Sequence, residues 1–192
     1  MQSSFVSVPT SVPNPVTYLT AGSYSGSGTT WTADVGGNGT LVNSPSYTYA
    51  SPTYMSFAAA SSQKVTGSDL GSMSTWTVEC WFRVTSSLSG KATALVTDQY
   101  GSPTNRMNYY MGFNGTGSAD STLQVGFFDG SWHVTPGFQP TLNTWYHCVG
   151  TYDGTTLKQY SNGAFHSSTG YSGTPQASGL GYRIAARWDS QV

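Results

Sequence analysis

At 192 residues the chain fits one large domain with room for a sizeable core. Only 8% of it is charged while 37% is hydrophobic and 14% aromatic, which excludes intrinsic disorder, a state of low hydrophobicity and high charge. A net charge of −1, with basic residues scattered singly (Lys64, Lys91, Lys158), excludes nucleic acid and membrane insertion, and no apolar run approaches the roughly 20 residues of a membrane helix.

Residues 1–16 hold three of the nine prolines among Ser, Val and Thr, without periodicity. They read as an extended arm, either a free tail or a segment that docks on a neighbouring subunit, with Phe5, Val6 and Val8 as its apolar plugs. The opening lacks the basic start and apolar stretch of a signal peptide. With so few charges, the surface must be wetted by Ser, Thr, Asn, Gly and tyrosine hydroxyls. That suits an extracellular or virion-exposed protein.

From residue 17 onward, short β runs alternate with turn residues. In WTVECWFRV, Trp76, Val78, Cys80, Phe82 and Val84 share one face, and Glu79, Trp81 and Arg83 the other. KATALVTD and RMNYYMGF supply further strands. STLQVGFF, then Asp129-Gly130, then SWHVT predicts a hairpin. TWYHCVGTY, Asp153-Gly154, TTLKQYS, Asn162-Gly163 and AFHSS predict a three-stranded meander over 144–168, because Asp-Gly and Asn-Gly supply the positive φ of tight hairpin turns. The expected core is Trp76, Val78, Phe82, Phe113, Trp145 and Val149, with His147 packed beside Trp145 and Val149. No segment sustains helical spacing. Roughly ten to twelve strands in this length predict an all-β, two-sheet antiparallel jelly-roll sandwich.

Several of these stretches resemble laminin-G-like domains of the concanavalin A-like lectin/glucanase superfamily, in a form common in phage and environmental bacterial proteins. They are YLTAGSYSGSGTTWTADVGGNGTLVNSPSY (18–47), YMSFAAASSQKV (54–65), WTVECWFRV, NTWYHCVGTYDGTTLKQYSNGA and YRIAARWDS (182–190). The resemblance implies a concanavalin A-like sandwich over 17–192. Two departures stand out. AAASSQKV replaces an acidic element of the family, and the family pattern runs on by a closing strand after YRIAARWDS. A neighbour's segment, the Pro-rich arm for instance, would fill that place by adding a strand to the sheet edge.

The resemblance also leaves room for one Ca²⁺ at the rim, with Asp98 and Asp120 as the best loop carboxylates; no other cofactor is expected. Catalysis is not expected. Glycoside hydrolysis needs two facing carboxyls, and this chain has one glutamate, Glu79, whose same-face neighbour Arg83 reads as a pairing partner. Cys80 and Cys148 stand where relatives often carry Ala, so they are expected as free, buried thiols rather than a disulfide. Two functions remain open. One is a structural subunit of a virion or fibre, whose partners are copies of itself or other fibre proteins. The other is a carbohydrate-binding module, whose candidate site is the loop-rich stretch 100–117 with Tyr109, Tyr110 and Asn114; alternation there sends one of the two tyrosines outward.

Overall fold

The computed structural model describes residues 15–88, 92–101, 104–114 and 121–186; the arm residues Phe5, Val6 and Val8, and Asp120, lie outside them. The strands are β1 (Thr30–Trp31), β2 (Gly39–Val42), β3 (Ser46–Thr48), β4 (Tyr54–Ser56), β5 (Lys64–Thr66), β6 (Trp76–Arg83) and β7 (Thr93–Asp98). They continue as β8 (Met107–Phe113), β9 (Leu123–Phe128), β10 (Trp132–Val134), β11 (Trp145–Tyr152), β12 (Thr156–Ser161), β13 (Ala164–Gly170) and β14 (Tyr182–Ala186). An eight-stranded sheet runs β1-β2-β5-β14-β7-β8-β9-β10, a four-stranded sheet β13-β12-β11-β6, and β3 and β4 form a separate hairpin. All the pairings are antiparallel. The fold is the expected all-β jelly-roll sandwich.

The main core lies between the two sheets. From the small sheet come Trp76, Phe82, Cys148, Tyr152 and Leu157; from the large sheet come Tyr109, Met111, Phe113, Leu123, Val125 and Phe127. Gly150 lets the layers close up, since a methyl group there would meet the Val125 side chain at 2.7 Å. Buried Gln159 ties them together: its Nε2 donates to the Leu123 carbonyl at 3.0 Å, and its Oε1 accepts from the Thr135 hydroxyl at 2.8 Å. Such a satisfied polar link costs little stability and fixes the register of the layers.

The meander over β11, β12 and β13 forms as predicted, and its second turn has φ of 50° at Asn162 and 80° at Gly163. β9 and β10 form the predicted hairpin. Trp76, Phe82 and Phe113 are buried and Val78 packs against them. Trp145, His147 and Val149, however, do not belong to the core. Strand β11 presents the opposite face to it, with Cys148, Gly150 and Tyr152 buried. Register decides this: Cys148 pairs with Cys80 and Tyr152 with Trp76, and paired residues share a face. Both cysteines are free, Cys148 buried and Cys80 half-buried, and burial pushes the Cys148 thiol up to about 11 and that of Cys80 higher still.

Candidate binding surface

The correction to β11 defines the most distinctive surface of the molecule. With the core face of β6 and β11 fixed, the outward face of the small sheet carries a Thr77–Thr151 row and three others. Arg83 pairs with Trp145, Trp81 with His147, and Glu79 with Val149. The last row continues through Tyr160 on β12 to Phe165 on β13, whose rings lie 5.8 Å apart. Trp81 is 50% exposed and Phe165 60%. The indole of Trp81 stacks on the His147 ring at 5.0 Å with planes 24° apart. His147 Nε2 lies 3.6 Å from Glu79 Oε2, so the partner of Glu79 is His147 and not Arg83. The reason is geometric, since residues four apart on a strand lie about 13 Å apart, whereas diagonal cross-strand neighbours such as Glu79 and His147 lie about 7–8 Å apart.

The β3–β4 hairpin walls one end of this platform. Tyr47 and Met55 pair on one side and seal the cluster of Tyr24, Trp31, Leu41 and Val65. Thr48 and Tyr54 pair on the other, where the Tyr54 ring meets Trp145 edge-on at 5.7 Å. The Arg83 guanidinium lies 5.3 Å from the centroids of both Tyr54 and Trp145. The Tyr54 hydroxyl is held below its usual range, first by its bond with the Thr48 side chain and then by Arg83.

The residues singled out from the sequence fall elsewhere. Tyr109 and Tyr110 are both buried, at 6% and 2% exposure, so neither faces solvent as alternation predicted. β8 is buried along its whole length. Tyr109 enters the main core. Tyr110 enters a second cluster on the outer face of the large sheet, with Ala94 and Met107 beneath Tyr100, Phe128 and Val134. Trp132 caps that cluster, meeting Tyr110 at 5.2 Å and Phe128 at 5.3 Å. Asn114 serves a turn, its Oδ1 accepting from the Thr122 amide at 3.1 Å and hydroxyl at 3.3 Å.

Asp98 is not a loop carboxylate but the last residue of β7, 2% exposed. Its Oδ2 accepts the amides of Asn108 at 2.9 Å and Ser178 at 3.2 Å, and the Gln99 amide bonds to it as well. Burial pushes its pKa up to about 6 despite these bonds. A carboxylate enclosed in this way and engaged by backbone donors does not fit a rim Ca²⁺ ligand, which offers its oxygens to the ion. Among the described residues no three His, Cys, Asp or Glu side chains gather in a metal-holding group.

Two further features are structural. Asp129 accepts from His133 Nε2 at 2.9 Å and from the Tyr171 hydroxyl at 2.7 Å, while the His133 and Tyr171 rings stack at 3.5 Å. Burial opposes ionisation of Asp129, but the bonds from Tyr171, His133 and the Ser131 amide outweigh it and hold the carboxyl below its usual range. This cluster pins the chain after β13 to the β9–β10 turn. A recess of about 120 Å³ lined by Val84, Leu88, Phe113 and Leu142 is smaller than the several hundred Å³ of a typical ligand pocket.

A profile described as the concanavalin A-like lectin/glucanases superfamily, of laminin G type, matches residues 57–191, and the chain belongs to that family. Its one glutamate, Glu79, sits on the open sheet face beside a histidine. Among solved structures, domain 4 of an extracellular arabinanase from Geobacillus stearothermophilus, in complex with arabinotriose, superposes with a TM-score of 0.59 at 13% identity, covering 78% of this chain and 74% of that one. The carbohydrate-binding module CBM66 from Bacillus subtilis gives a TM-score of 0.44 at 11% identity, covering 78% and 92%. No curated protein matches the chain. Among the described residues no helix is long and apolar enough to cross a membrane.

Sequence reasoning missed the platform although one signal for it was visible. Trp81 is a large aromatic residue between Glu79 and Arg83, on the polar face of a strand whose other face is the core. An exposed tryptophan flanked by charges is more informative than the paired tyrosines, which proved to be packing residues.

Proposed function

We propose that this domain is a carbohydrate-binding module that holds an oligosaccharide against the outward face of its four-stranded sheet. The observation that carries this reading is Trp81, half exposed and stacked flat on His147 in the middle of that face. A sugar ring has an apolar C–H face that loses water against an aromatic plane, while its hydroxyls need polar partners at the edge. Trp81 and Trp145 supply the planes, and the Glu79 carboxylate and the His147 ring nitrogens supply polar partners beside them. The rigid sheet fixes these groups before the ligand arrives, which lowers the entropic cost of binding.

The arabinotriose-bound arabinanase domain shares the fold and supports the sugar-binding reading over assembly in a virion or fibre. The test is calorimetric titration of the purified protein with a panel of neutral oligosaccharides that includes arabinotriose. At least one should bind, and Trp81→Ala should weaken that binding by tenfold or more, about 1.4 kcal/mol, while leaving the fold intact. Binding that persists undiminished in Trp81→Ala would remove the platform from the account.

A further inference from the structure

Arg83 stands at the walled end of the platform, and among the described residues no carboxylate lies within ion-pair distance of it. The ion pairs among the described residues are His133–Asp129, His147–Glu79 and Lys158–Asp153. Glu79 is committed to His147 and lies four residues back along β6, about 13 Å in an extended strand. The Arg83 guanidinium is instead held between Tyr54 and Trp145, 5.3 Å from each ring centroid, with a bond to the Tyr54 hydroxyl.

That environment changes what the cation can do. Stacking on aromatic rings suits a planar, weakly hydrated guanidinium and fixes the direction of its fork. The rotamer entropy that an exposed arginine would lose on binding has already been lost here. Of its five N–H donors the Tyr54 hydroxyl takes one, which leaves enough for a two-pronged bond. The group that matches such a fork is a carboxylate, and the surface beside it suits a sugar ring.

We infer that Arg83 is a subsite for the carboxylate of an acidic sugar, so that the platform prefers a carboxylated oligosaccharide to a neutral one. This rests on the platform reading above. A ring stacked on Trp81 or Trp145 would extend its carboxylate to the guanidinium, where the charge-assisted bonds displace little tightly held water. Glu79, four residues back along β6, would repel the same carboxylate, so the acidic sugar enters with its charge toward the hairpin wall.

The test is calorimetric titration with trigalacturonate and with 3′-sialyllactose, each against an uncharged counterpart, methyl-esterified trigalacturonate and lactose respectively. The two acids distinguish a uronate from a sialate as the source of the carboxylate. The wild-type protein should favour at least one acid over its counterpart by about tenfold or more, the scale of one charge-assisted hydrogen bond. The acid-to-neutral ratio should fall to near one in Arg83→Gln and to an intermediate value in Arg83→Lys, which keeps the charge but loses the fork. Lys158→Gln, which removes a charge already paired with Asp153, should leave the ratio unchanged. Thermal melts check that the variants fold, and because the readout is a ratio, a general loss of affinity does not imitate the effect. Acids that bind no better than their counterparts, or a ratio that Arg83→Gln does not move, would overturn the inference while neutral binding at Trp81 still stood. Failure of every oligosaccharide, charged or neutral, would overturn the platform reading with it.

Discussion

The two sheets bury their outer faces to very different degrees. On the large sheet, β8 is covered on both sides: Tyr109, Met111 and Phe113 face the main core, while Tyr110 and Met107 face a second cluster capped by Trp132 and Phe128. On the small sheet, β11 is covered on one side only, and its outward row of Trp145, His147 and Val149 continues into half-exposed Trp81. Aromatic residues therefore mean different things in the two places. On β8 they fill space, and on β6 and β11 they leave a flat, rigid surface open. A protein that invests large side chains in an open sheet face forgoes their full burial.

The largest expected effects follow from this difference in burial. Tyr110→Ala should cost about 3–5 kcal/mol, the usual range for a buried aromatic, and Phe82→Ala in the main core about the same. Trp81→Ala should cost under about 1 kcal/mol, since half of its surface already meets water. Urea titrations of the three variants measure this. If Trp81→Ala destabilises as much as Tyr110→Ala, the two outer faces are equivalent and the distinction fails.

Charge sharpens the same contrast. Asp98, at the end of β7, has a pKa raised by burial to about 6. A raised carboxylate pKa means that the folded state binds the proton more tightly than the unfolded chain. The contribution of Asp98 to stability is therefore full below its unfolded value of about 4 and is lost as pH rises through about 6. The loss should be on the order of 2 kcal/mol, and stability should rise between pH 7 and pH 5. Asp98→Asn should flatten that part of the profile in thermal melts.

Smaller effects test the two faces of β11 one residue at a time. Cys148 and Cys80 point between the sheets, and burial raises both thiols, so neither should react with iodoacetamide in the native protein over a period that fully labels the unfolded chain. Mass spectrometry reads this directly. Val149→Thr should change stability by no more than about 0.5 kcal/mol, because its side chain lies on the outward face. A buried hydroxyl would cost about 1–3 kcal/mol, the value expected if Val149 were in the core.

The parts of the fold legible in the sequence are those written in local chemistry. Asp153-Gly154 and Asn162-Gly163 announce their turns because few other pairs tolerate the backbone there, and β6 shows its faces because Glu79 and Arg83 mark one of them. β11 was ambiguous because both of its faces carry aromatic residues, Trp145 on one and Tyr152 on the other. Only its register with β6 separates them. Tyr109 and Tyr110 could not be read by alternation, because β8 lies in mid-sheet beneath a second cluster and both of its faces are buried. The pairing of His147 with Glu79 and the wall formed by Tyr54 depend on contacts between distant segments, which no local pattern encodes. Asp98, followed by Gln99, Tyr100 and Gly101, reads as a loop until β14 and the segment before it fold over its carboxylate.

The central claim is that the open face of the small sheet is where the molecule meets its ligand. The most direct measurement is an NMR titration of the isotopically labelled protein with whichever oligosaccharide binds in calorimetry, following backbone amides and tryptophan indole protons. The account predicts that the shifts cluster on Glu79, Trp81, Arg83, Trp145 and His147, with the Trp81 indole moving most and the β8–β10 cluster around Tyr110 and Trp132 staying still. Shifts concentrated around Trp132 or on the loops beside β8, with the Trp81 indole unmoved, would contradict it.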